Sequence, residues 1–373
     1  MLCAAPFADE LLAGVPTLGA ADIRADLALT YGAVAATVLA APLLLGLFVE
    51  APLLIAAKRV GRRRMAAAGF WAMAAGALGA ALSASAWQLA LSLSFAAAGG
   101  GVALALVETT LMDAAPERRE LWMTRFTIGA TLGDLAAPGL LAAVAFLGFG
   151  WRGAFVAVAL STMLAALLIA RHVTDGGAAD EERLPIRLVL RRALTNGRLL
   201  LWSRGVVACD LLDEILVVVA MLFLREVRGI DPGAAALALA VLPAAGMLGL
   251  LLTERMLRRM PPLRWLALNC AACSAAIAGL VLIPSAAAAV AMLGVVGFTA
   301  ASMWPIATAQ AYRALPQDST TVAAVANLFA PLGVALPVAI TYAADLWGLP
   351  VAVALLGIQP VTLLVLAFAL RRA

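Results

Sequence analysis

The stretch Ala56-Ala57-Lys58-Arg59-Val60-Gly61-Arg62-Arg63-Arg64-Met65-Ala66 sets five basic residues between two long apolar runs, 33–57 and 65–83. Each run is close to the roughly 20 residues a helix needs to cross the hydrocarbon core of a bilayer. A short basic turn between two such runs reads as a membrane hairpin. Its turn belongs on the cytoplasmic side, where loops carry the excess of Lys and Arg. Outward from this hairpin the pattern repeats, with ten further runs at 2–21, 88–112, 124–147, 152–171, 200–224, 234–253, 264–284, 286–311, 320–344 and 349–370. Their Ala, Leu, Val and Gly content suits helices, and no ten-residue segment alternates as the strands of a membrane barrel would.

Composition points the same way. Of 373 residues, 64% are hydrophobic and 13% charged, against about 25% charged in a soluble chain. So few charges cannot cover a water-facing surface, which excludes a soluble enzyme. One His and four Cys (Cys3, Cys209, Cys270, Cys273) cannot build a zinc framework or a secreted disulfide scaffold. Cys270 and Cys273 form a C-x-x-C inside an apolar run, where small buried residues are expected rather than redox chemistry. With the N-terminus inside, 22 of the 26 Lys and Arg fall on the cytoplasmic side; Arg24, Arg152, Arg225 and Arg228 fall outside. The pI of 9.2 therefore reports topology, and no nucleic-acid partner is expected. The expected location is the inner (plasma) membrane, multi-pass, with both termini cytoplasmic. The first residues lack a basic n-region and a small-residue cleavage site, so no removable signal peptide is expected. No P-loop, G-x-S-x-G or H-E-x-x-H occurs, so no ATP engine of that type and no cofactor are expected.

The chain carries an internal repeat. Asp9-Glu10 recurs as Asp213-Glu214 at an offset of 204, Pro116 as Pro316 and Gly133 as Gly333 at 200, and Trp151 as Trp347 at 196. Four collinear landmarks predict two six-helix halves in one orientation. The expected domains are an N-terminal bundle 1–171, a cytoplasmic linker 172–199 and a C-terminal bundle 200–373.

Here the sequence resembles the major facilitator superfamily, over essentially the whole chain. The 6+6 arrangement, the long central loop and the basic loop carry the resemblance. That loop is similar to the family's G-x-x-x-D-R-x-G-R-R, with Arg59, Gly61, Arg62 and Arg63 matching, Leu54 in place of Gly and Lys58 in place of Asp. In the family that Asp helps hold the cytoplasmic gate shut, so Lys58, Arg59, Arg62 and Arg63 are the gating candidates. Asp113, Glu117 and Glu120 are the carboxylates nearest in type to serve Lys58. Gly129-Ala-Thr-Leu-Gly133-Asp134-Leu-Ala-Ala-Pro138-Gly139 is similar to the antiporter signature G-x-x-x-G-P, with Asp134 in place of the Pro. The resemblance implies an all-α integral membrane protein. Its two six-helix bundles would be related by a pseudo-two-fold axis, with helices one, two, four, five, seven, eight, ten and eleven lining a central cavity.

Charge inside the spans follows a partition. Residues 66–83, 153–170, 265–284 and 349–370, in spans three, six, nine and twelve, contain no Asp, Glu, Lys or Arg. Asp9, Glu10, Glu50, Glu108, Asp134, Asp210, Asp213 and Glu214 lie in spans one, two, four, five and seven. A charge at mid-bilayer costs at least about 2.5–3.5 kcal/mol, so such residues face a cavity or a partner. Their plausible basic partners are Arg125 and Arg204. Eight ionised carboxylates would repel prohibitively without cations, so the set suits protons and a positively charged substrate, not an anion. Structural readings stand beside this one. Arg204 could neutralise part of the Asp210, Asp213, Glu214 face, and Asp9-Glu10 could cap a late-starting helix. Glu50 could satisfy backbone groups freed at Pro52, and Glu108 and Asp134 could fasten spans four and five with Thr109, Thr110 or Thr131. Trp304, Gln310 and Asn327 are candidate polar or aromatic contacts. Read as Cys209, Asp210 and Asp213, part of the set could instead bind a divalent metal.

The function expected is a secondary active transporter with an acidic midplane cavity: proton-coupled antiport, in the efflux direction, of a cationic or amphipathic small molecule. The proton gradient would supply the energy, membrane lipids would surround it, and a monomer is expected. The alternatives are a divalent metal exporter of ferroportin-like type and a lipid or lysolipid transporter.

Overall fold

The computed structural model describes residues 2–168, 170–174, 186–316 and 318–370, and among them every regular element is helical. Twelve helical stretches follow the twelve apolar runs. The first six are α1 (residues 2–26, with Ala5–Leu18 its longest piece), α2 (31–60), α3 (Arg62–Ala81), α4 (Ala86–Ala114), α5 (Arg119–Phe146) and α6 (Gly150–Leu168). After a linker helix Ile186–Thr195 come α7 (197–227), α8 (232–256), α9 (Pro262–Leu282), α10 (286–314), α11 (319–347) and α12 (349–369). Within the expected linker, residues 175–185, Arg183 among them, lie outside the described residues, as do Arg371 and Arg372.

Among the described residues, nine helices are long and apolar enough to cross a membrane. The three stretches outside that set are α1, α3 and α7, each of which carries charged residues. Three arginines open α3. Gly19 divides α1 into Ala5–Leu18 and Ala20–Asp26. Two π-turns, Leu211–Ile215 and Phe223–Val227, interrupt α7. The repeated acid pairs thus lie on helices whose regularity is broken.

Polar caps and glycines set the boundaries. The Thr30 hydroxyl accepts the Ala33 N–H at 3.2 Å at the start of α2, and the Asp231 carboxylate accepts those of Gly233 at 2.9 Å and Ala234 at 3.2 Å at the start of α8. Each satisfies a donor the first helical turn leaves open. The turns after α5 and α11 use Gly148 at φ +79° and Gly348 at φ +86°, left-handed conformations that side chains disfavour. Their offset of 200 extends the repeat. The Trp landmark does not share it: Trp151 is buried near the start of α6, whereas Trp347 is exposed at the end of α11.

Chain contacts define two units. The first comprises 1–116, 126–190 and 317–327; the second comprises 117–125, 191–316 and 328–373. Compared with contiguous halves 1–171 and 200–373, two short segments change sides: the first turns of α5, and the Ser319–Asn327 segment of α11. Inside the first unit α3 and α4 approach at backbone distance. A Cβ on Gly99 would fall 2.7 Å from the Gly69 carbonyl oxygen, and one on Gly76 2.6 Å from that of Ser92. Inside the second, a Cβ on Gly297 of α10 would fall 2.5 Å from the Leu242 carbonyl oxygen of α8. Small residues at these crossings let helices pack where no hydrophobic effect drives them together.

Candidate functional site

The antiporter-like stretch of α5 is a packing seam against α1. Gly129 faces the carbonyl of Cys3, and a Cβ on Gly133 would lie 2.6 Å from the Phe7 carbonyl oxygen and 2.8 Å from Glu10 Cβ. Both pairs step by one helical turn, so the seam runs along the two helices. It delivers Asp134, next to Gly133, to within hydrogen-bonding reach of Glu10. Asp9 lies close enough to Glu50 of α2 and to Asp134 for both carboxyls to act on it electrostatically. Glu50 Oε2 accepts a hydrogen bond from Asn327 Nδ2 at 3.3 Å. Four of the eight acids singled out from sequence therefore gather inside the first unit, with Asn327 beside them. Asp9, Glu10 and Glu50 are half-buried and Asp134 is exposed.

Asp9 and Glu10 sit within Ala5–Leu18, not at its cap. The three threonines do not fasten Glu108 to Asp134. The hydroxyls of Thr109 and Thr110 donate to the Leu106 carbonyl at 2.9 and 2.8 Å, and that of Thr131 donates to Thr127 at 3.1 Å. Each closes a bond within its own helix. Glu108 lies about two turns along α4 from Gly101 and makes an interaction of its own.

Inside the second unit, Asp210 precedes the π-turn of α7 and Asp213 lies in it; the Glu214 side chain lies outside the described residues. A Cβ on Gly333 of α11 would fall 3.0 Å from Asp210 Oδ2. Gly133 and Gly333 thus both lie against the helix of their unit that carries the repeated acid pair. The Arg204 guanidinium lies 5.6 Å from the centre of the Phe329 ring. Arg125 is bound to Glu254 through Nε at 3.0 Å and Nη2 at 2.8 Å, and lies over Trp122. Cys209, Cys270 and Cys273 are buried free thiols. Among the described residues no group of three His, Cys, Asp or Glu could hold a metal ion, Cys209, Asp210 and Asp213 included.

The gating candidates divide in two. Lys58 pairs with Asp318 and reaches Thr321 Oγ1 at 2.5 Å; Arg62 pairs with Asp113, which also accepts the Ser319 hydroxyl. Arg59 and Arg63 are exposed, and Arg63 makes an interaction of its own. The partner of Lys58 is thus Asp318, not Asp113, Glu117 or Glu120, because the exchanged Ser319–Asn327 segment brings Asp318 beside α2. That segment is held at both ends, through Asp318 and Asn327. The other exchanged segment is held inside the second unit. Buried Glu120 accepts Gln310 Nε2 and Arg313 Nε, each at 2.7 Å, while Arg119 donates to the carbonyl of Tyr312 at 2.9 Å. Gln310 therefore belongs to this clasp and not to the acid group; Trp304 is half-buried on Met303–Ala314. Sequence reading missed Asp318, Glu254 and Arg313. Asp318 carried a legible signal, an Asp three residues before Thr321 that caps the segment.

Comparison with known proteins agrees with this architecture. No curated protein sequence matches the chain. A crystal structure of a major facilitator superfamily transporter, FucP, in the outward conformation superposes with a TM-score of 0.84 at 15% identity, covering 99% of this chain and 97% of that one. A structure of a variant of the E. coli fucose:proton symporter FucP superposes with a TM-score of 0.77 at 14% identity, covering 98% of each chain. The family model for the Major Facilitator Superfamily matches residues 11–339. The chain is a multi-pass membrane transporter and belongs to the major facilitator superfamily.

Proposed function

We propose that this transporter exchanges protons for a cationic or amphipathic small molecule at the acid group of the first unit, in the efflux direction. The gathering of Asp9, Glu10, Glu50 and Asp134 supports the reading most strongly. Two carboxyls within hydrogen-bonding reach, as Glu10 and Asp134 are, can share a proton. The ion pairs Lys58–Asp318, Arg62–Asp113 and Arg152–Asp26 of this unit leave Asp9, Glu50 and Asp134 to other company. At Asp9, Glu50 and Asp134 protons and a cationic cargo would compete for the same carboxyls, and each displaces the other. That competition is the minimal requirement for exchange.

The test is flux in proteoliposomes with tetraethylammonium as probe and an imposed pH gradient. Accumulation driven by the gradient is expected in the wild type and should vanish in Asp9→Asn/Glu50→Gln/Asp134→Asn. Gradient-driven flux undiminished in that variant would overturn the assignment.

A further inference from the structure

The run Gly99-Gly100-Gly101 of α4 meets three different neighbours. Gly99 faces backbone: a Cβ there would lie 2.7 Å from the Gly69 carbonyl oxygen and 3.0 Å from the Met73 nitrogen of α3. The next two face carboxyls. A Cβ on Gly100 would lie 2.6 Å from Asp9 Oδ1, and one on Gly101 2.6 Å from Glu50 Cδ and 3.0 Å from its Oε2. Glu50 is also confined from its own helix, since a Cβ on Gly46 would lie 2.9 Å from Oε1. Its carboxyl thus rests in a notch with no side chain on two walls, and Asn327 donates to it there.

We propose that Gly100 and Gly101 are positioning residues of the acid site. The side chains they lack are what let the Asp9 and Glu50 carboxyls, carried on two different helices, settle against successive residues of a third. The inference rests on the acid group being the transport site, and it adds residues with no chemistry of their own to that site. What an added methyl meets decides the outcome. At Gly99 it meets the backbone of another helix, so helices must part. At Gly101 it meets the far end of a flexible side chain, which can swing away while the helices stay. Ala is also the better helix former, so the exchange does not weaken α4 itself. Gly101→Ala should therefore move the carboxyl and spare the fold, a separation that a purely packing role cannot produce.

Two measurements test this, the first needing no transport. Carbodiimide modifies protonated carboxyls in apolar surroundings, and mass spectrometry reads the rate at Glu50 across pH. In Gly101→Ala we expect that rate at a given pH to change by about tenfold, the effect of one unit of displacement in a carboxyl's titration, with thermal unfolding in detergent as in wild type. Gly99→Ala should unfold at lower temperature. The second measurement is binding of tetraethylammonium. Gly101→Ala should lose affinity, and Glu50→Asp/Gly101→Ala should return to that of Glu50→Asp alone, because the shorter acid clears the methyl. Wild-type labelling of Glu50 in Gly101→Ala would overturn the proposal, as would destabilisation equal to that of Gly99→Ala. If the wild type binds no cation, the function proposed above fails while the labelling still decides this one.

Discussion

Glu120 shows how much one buried carboxylate can organise. It is 3% exposed and accepts from Gln310 and from both Nε and Nη2 of Arg313. Removing it takes the acceptor from two donor side chains, one of them charged, at a cost of about 1–3 kcal/mol. Glu120→Ala should lower the thermal unfolding temperature in detergent by several degrees, with Glu120→Gln intermediate because an amide oxygen still accepts. Equal unfolding temperatures for all three proteins would deny the clasp a structural role. Residue types were legible here and partners were not. The sequence shows an intramembrane acid to be costly, but the neighbour that neutralises it depends on how helices far apart in the chain cross. Arg125 illustrates this, as the nearest basic residue in sequence to the span-five acid, yet bound to Glu254, 129 positions away.

At the scale of elements, α11 is the instructive helix. It breaks at Leu328-Phe329, between Ser319–Asn327 and Ala330–Trp347, and the two units meet in the chain at the same place. Apolar periodicity runs through the break, so the sequence predicts one span over 320–344, where two segments with different company occur. Lys58–Asp318 and Glu50–Asn327 tie the first segment to α2 at both ends. Lys58→Asp places like charges opposite Asp318. We expect it to fold, and to change the ratio of cysteine-labelling rates from the two sides of the membrane; Lys58→Asp/Asp318→Lys should restore the ratio. A ratio unaffected by Lys58→Asp would remove Lys58 from gating. The α1–α5 seam was legible in a different way. Its glycines match a known signature, and the structure supplies the physical reason: Gly133 has no room for a side chain against Phe7 and Glu10. Gly133→Leu should therefore abolish folding into a monodisperse species in detergent, and recovery of normal protein would contradict the seam.

For the whole molecule, membrane-spanning character and the twelve helical stretches follow from 64% hydrophobic and 13% charged residues arranged in long runs. The exchange of 117–125 and 317–327 between units does not follow, because composition carries no record of which half a helix end contacts. The reading of the acid group makes a claim about ligands. A quaternary ammonium ion has no proton to lose, so any pH dependence of its binding belongs to the protein. Affinity for tetraalkylammonium ions should rise with pH as carboxyls ionise, and at fixed pH should rise with chain length by about 0.8 kcal/mol per methylene fully buried. The most direct measurement follows from the same competition: protons released when tetraethylammonium is added to purified protein in weakly buffered detergent solution. Release that saturates with the cation and disappears in Asp9→Asn/Glu50→Gln/Asp134→Asn is the expected result. Saturable binding without proton release, or release unchanged in that variant, would contradict proton–cation exchange at this group.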